Sequence, residues 1–91
     1  MEHKEILEKA IEKYGDKNQL LKTIEELNEL SRALVRFLID DNIFNYANVA
    51  EEIVDVKIML EQAIVILNLG GETLDSIKQE KINRLKQNLN I

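Results

Sequence analysis

Two pairs of carboxylates have the spacing of a shared site. Glu26 and Glu29 are three residues apart, and so are Glu52 and Asp55. On a helix turning about 100° per residue, such partners sit about 60° apart and can converge on one point. The second pair lies among Val49, Ala50, Ile53, Val54, Val56, Ile58, Met59 and Leu60. A carboxylate in apolar surroundings is costly unless it is paired, protonated or bound to metal. Two such pairs suit a cation that takes hard oxygen ligands, Mg²⁺ or Mn²⁺. The competing reading is a solvated acidic face. A lone Glu-x-x-Glu is common on exposed helices, and it is the two pairs together that favour a metal.

Other chemistries find no support. The chain has no cysteine, which removes disulfides and thiolate-bound zinc or iron–sulfur sites. His3 is the sole histidine, so neither a Glu-x-x-His di-iron pattern nor a Ser-His-Asp triad is available. Gly70-Gly71 lacks the rest of a phosphate-loop motif and reads as a helix stop. Phe44 and Tyr46 read as a hydrophobic staple rather than a base-stacking platform.

The elements that must position the acids are helical. There is no proline, only three glycines, and 45% of the 91 residues are hydrophobic. Apolar spacing predicts four helices, at 4–14, 17–39, 46–69 and 73–89. Ile6, Leu7, Ala10, Ile11 and Tyr14 line the first, and Gly15 ends it. Leu20, Ile24, Leu27, Ser31, Leu34, Val35 and Leu38 are expected to form the inward stripe of the second. Asn45 or Asn48 is the expected N-cap of the third, which should be the most buried. Leu74, Ile77, Ile82, Leu85 and Leu89 are expected to face inward from the fourth. Short connections imply antiparallel neighbours in a single-domain, all-α four-helix bundle. Glu26 and Glu29 fall off the expected stripe, and so short a chain has a thin core. Completion by oligomerisation, as a homodimer or homotetramer, is therefore expected.

The net charge is -5 with scattered Lys and Arg, so binding to a nucleic-acid backbone is not expected. The charged start, Met1-Glu2-His3-Lys4-Glu5, has no apolar run behind it. No apolar stretch approaches the length of a membrane span. A cytoplasmic protein without signal peptide or membrane anchor is expected.

Glu25-Glu26-Leu27-Asn28-Glu29, 22 further residues, and then Glu52-Ile53-Val54-Asp55 resemble the E-E-x-x-E … E-x-x-D signature of the MazG-like nucleoside triphosphate pyrophosphohydrolases. Tyr14-Gly15, Gln19 to Lys22, Asp55 to Gln62 and Lys81 to Leu85 extend the similarity over about residues 4 to 88. The resemblance implies a MazG-like bundle that hydrolyses a (deoxy)nucleoside triphosphate between its α and β phosphates, a reaction suited to cleaning nucleotide pools. It implies that Glu26, Glu29, Glu52 and Asp55 hold Mg²⁺, with Mn²⁺ as a substitute, and that Glu25 is a further catalytic acid. Lys22, Lys81 and Arg84 become candidates for phosphate contacts. A dUTP- or dCTP-type diphosphatase and a phosphoribosyl-ATP pyrophosphohydrolase share the carboxylate arrangement. Outside enzymes, the alternative is a non-catalytic helical interaction module.

Overall fold

The computed structural model describes all 91 residues and contains four helices and no strand. They are α1 (His3–Tyr14), α2 (Asp16–Ile39), α3 (Ile43–Ile66) and α4 (Gly71–Asn88). Gly15 joins α1 to α2 at φ +92°, a left-handed conformation that glycine adopts without a Cβ clash.

The third helix starts three residues earlier than its apolar spacing predicts. Asn42, rather than Asn45 or Asn48, is the N-cap: its side chain accepts from the Asn45 amide at 2.9 Å. The Asn45 side chain instead donates to the Asp40 carbonyl at 2.8 Å, tying the turn together. This helix also ends earlier, before the two glycines. Asn68 takes a left-handed conformation at φ +53°. The Leu69 amide bonds back to the Ile64 carbonyl at 3.0 Å, closing the helix as a Schellman-type cap. Gly70 and Gly71 then serve as the N-cap and first residue of α4.

α2 and α3 form an antiparallel hairpin. Gln19 pairs with Gln62, Thr23 lies against Met59, and Phe37 meets Tyr46 with ring centroids 6.3 Å apart. The α2 face turned toward α3 therefore runs through Gln19, Thr23, Glu26, Leu30, Ala33 and Phe37, none of which is exposed. This corrects the expected inward stripe. Ile24, Leu27, Leu34, Val35 and Leu38 are all exposed. Glu26 faces α3 within the same chain, so it is the apolar stripe, not the acidic face, that lacks a neighbour. The cause is polar complementarity. The Gln19 amide donates to the Gln62 side-chain oxygen at 2.7 Å, and the Thr23 hydroxyl, bonded to the Gln19 carbonyl of its own helix at 2.8 Å, lies 3.5 Å from the Met59 carbonyl of α3. Buried polar atoms satisfied in this way hold α2 in its register.

α1 packs on α2 and α3, where Leu7 is buried and His3 Nε2 lies 2.8 Å from a Glu61 oxygen. α4 approaches no other helix. Ile77, Ile82, Leu85 and Leu89, expected to face inward, are exposed, and Leu74 is half-buried. Within one chain the bundle thus has three packed helices and a fourth standing free. The buried apolar core is small: Leu7, Ala33, Val56 and Met59.

The Gln19–Gln62 pair yields a sign test. Gln62→Leu strands the buried Gln19 amide and should cost about 1–3 kcal/mol. The double variant Gln19→Leu/Gln62→Leu removes both polar groups and should recover most of that loss in urea titrations. A double variant less stable than the single one would contradict this account of the register.

Candidate metal centre

The site lies at the middle of the hairpin. Glu26 is delivered by the α2 face that packs on α3, and its side chain is only 15% exposed. Glu52 occupies the facing row of α3, one helical turn before buried Val56, and Asp55 follows it on the flank. One oxygen from each of Glu26, Glu52 and Asp55 lies within 4.8 Å of the others. Oxygen ligands at 2.0–2.6 Å from a divalent ion stand no more than about 4–5 Å apart, so the trio has the right scale.

One oxygen of Glu52, Oε2, is buried and has no hydrogen-bond partner. Buried acceptors without partners are rare because the lost hydration is not replaced. The Glu52 carboxyl is pushed above the usual glutamate range, first by burial and then by the negative charges of Asp55, Glu26, Glu29 and Glu51. Every electrostatic neighbour raising it is an acid, so the carboxyl favours its neutral form unless a cation offsets the charge around it. The donor set is oxygen only, which fits a hard divalent ion such as Mg²⁺ or Mn²⁺. On these grounds the residues fit the metal that the sequence suggests.

Lys22 lies beside the cluster, its ammonium 3.3 Å from Glu26 and 3.8 Å from Glu25. The contact with Glu26, followed by the charge of Glu25, holds its pKa above the usual lysine range. Glu25 is exposed and faces solvent at the rim. Glu29 is outside the converging trio, its carboxylate paired with Arg32 one turn on. Arg32 is the residue that reading the sequence overlooked. Its three-residue spacing from Glu29 was the available signal. Lys81 and Arg84 ride on the free α4 and are not brought to the site. The hairpin therefore unites Glu26, Glu52 and Asp55 with Lys22 and Glu25 at the rim, while Glu29 is held by Arg32.

Comparison with protein-family models, with curated proteins and with solved structures finds no match in any of the three.

Glu52 gives the site a testable pH signature. Because its folded-state pKa is raised, the folded chain holds this proton more tightly than the unfolded chain. The stabilisation is fully present below the usual glutamate range and is lost as the pH rises through the raised value. Glu52→Gln keeps the shape without the charge. Above that window, in EDTA, the variant should melt at or above the temperature of the parent. Excess Mg²⁺ should reverse the order, since binding to the folded parent adds stability that the variant gains less of. Equal destabilisation of the variant in both conditions would mean that Glu52 serves the fold as an acceptor and not a metal.

Proposed function

We propose that this chain is a Mg²⁺-dependent nucleoside triphosphate pyrophosphohydrolase of the MazG-like type. It adds water across the α–β phosphate bond and releases nucleoside monophosphate and pyrophosphate. The observation that carries the reading is the convergence of Glu26, Glu52 and Asp55, with Glu52 also keeping one buried oxygen unpartnered. Its support in the sequence is the Glu25-Glu26-x-x-Glu29 … Glu52-x-x-Asp55 spacing.

Glu26, Glu52 and Asp55 would hold the ion. A divalent cation bound there supplies charge neutralisation at the phosphates and a lower pKa for attacking water. Lys22, at the rim, would meet a phosphate oxygen once its ammonium leaves Glu26, and Glu25 would accept the proton of the incoming water. Glu29 can join the oxygen set when its pair with Arg32 opens. Lys81 and Arg84 serve the phosphates only when an α4 helix is brought over the cleft. The net charge of -5 makes the cation more necessary, because the protein alone repels a polyphosphate. The same reading makes the working form a homodimer or homotetramer acting in the cytoplasm. No helix is long and apolar enough to cross a membrane.

A second reading is a non-catalytic interaction module, favoured by the free-standing α4 and the exposed apolar stripe of α2. One assay separates the two. A panel of ribo- and deoxyribonucleoside triphosphates, including dUTP and dCTP, together with phosphoribosyl-ATP, is incubated with Mg²⁺ and the products are resolved by chromatography. Monophosphate and pyrophosphate are expected, with the products lost in EDTA. Glu52→Gln and Asp55→Asn should each lower the rate on the order of 100-fold or more. Nucleoside diphosphate with orthophosphate would place the chemistry at the γ-phosphate instead. No turnover of any substrate would favour the interaction module.

A further inference from the structure

We propose that Arg32 and Arg36 form a phosphate subsite, which Glu29 keeps closed until a cation draws its carboxylate away. The inference rests on the hydrolase reading above and concerns where the terminal phosphates of the substrate are held. Two of the chain's three arginines stand here, one helical turn apart on α2. At 100° per residue, Lys22, Glu25, Glu29, Arg32 and Arg36 fall within about 80° around the helix, beside the face that carries Glu26. Arg32 lies about 9 Å along the axis from Glu26. A row of charge therefore runs past the acidic centre, and its far end is basic.

The two arginines are not equally free. Arg32 pairs with half-buried Glu29, whereas Arg36 has no acidic partner. Together with Ser31 and Val35 they line a notch of about 280 Å³ that no acid borders. A guanidinium presents a planar fork of donors that matches phosphate oxygens, so two of them one turn apart can share one phosphoryl group. Lys22, at the opposite end of the row, is already neutralised by Glu26 and Glu25. Glu29 joins the two halves. Its negative charge is one of those pressing on Glu52, although its carboxylate is paired with Arg32. A carboxylate drawn onto a divalent ion loses much of its attraction for a guanidinium one turn away. Arg32 is then released beside Arg36. By linkage, an anion that engages Arg32 frees Glu29 for the cation to the same degree.

Inorganic phosphate and Mn²⁺, offered separately to the full chain, test the coupling without turnover. Arg32 and Arg36 are exposed, so replacing either leaves the hairpin intact. In EDTA, Glu29→Gln releases Arg32 with no metal present. Phosphate, followed through the arginine side-chain signals by nuclear magnetic resonance, should bind this variant several-fold more tightly than the parent. The gain should vanish when Arg32→Gln or Arg36→Gln is added and persist when Lys17→Gln is added. Without phosphate, Arg32→Gln should tighten Mn²⁺ binding roughly two- to five-fold, the range for opening an exposed ion pair. In the Glu29→Gln background the same change should have no effect. A parent that binds no Mn²⁺ would contradict the cation site and this inference with it. Mn²⁺ bound by the parent, with phosphate indifferent to Glu29→Gln or Mn²⁺ indifferent to Arg32→Gln, would overturn the inference alone. Loss of the phosphate gain with Lys17→Gln would trace it to overall charge and overturn it equally.

Discussion

Gathering like charges at the seam of two helices, with Glu26 and Glu52 half-buried and Asp55 exposed, is the constraint around which this molecule is arranged. Glu26, Glu52 and Asp55 converge where two helices pack, and the buried oxygen of Glu52 receives no hydrogen bond. Mutual repulsion and lost hydration both oppose this cluster. It survives because the hairpin is fixed elsewhere. The Gln19–Gln62 pair and the Thr23 hydroxyl lie on one side of it, and the Phe37–Tyr46 contact lies on the other. Lys22 reduces the repulsion at the rim by pairing with Glu26 and Glu25. Stability lost at such a cluster in the absence of a cation is stability that a cation can return on binding.

The same arrangement explains why the surface is so apolar. α2 uses its Gln19–Thr23–Glu26–Ala33 face to meet α3, and so its leucine-rich stripe must point elsewhere. Here the face that carries Gln19, Thr23 and Glu26 is the one buried in the chain. What remains is a small core, an exposed apolar stripe and a free helix carrying both leucines and lysines.

Much of this was legible in the sequence, and the remainder failed for identifiable reasons. The all-helical class and the four segments follow from apolar spacing and the lack of proline. The meeting of Glu26 with Glu52 and Asp55 follows from two acidic pairs at helical spacing on successive helices. The ends of α3 were misplaced because three asparagines crowd its start and Gly70-Gly71 draws attention from Asn68. Which face of α2 turns inward was misread because apolar periodicity reports what must leave water, not which chain provides the cover. Gln19, Thr23 and Gln62 looked like surface residues until paired, and pairing across 43 residues has no local signature. The inward orientation of α4 failed for the same reason as that of α2.

A divalent-cation site at Glu26, Glu52 and Asp55 would differ from a solvated acidic face in where an added ion settles. Titration of isotope-labelled protein with Mn²⁺, followed by nuclear magnetic resonance, tests it without reference to substrate or assembly. The paramagnetic ion should broaden the signals of Glu26, Glu52 and Asp55 first, at substoichiometric metal, and excess Mg²⁺ should restore them. Broadening that spreads evenly over exposed acids such as Glu72 and Asp75, or that spares the hairpin, would contradict the account.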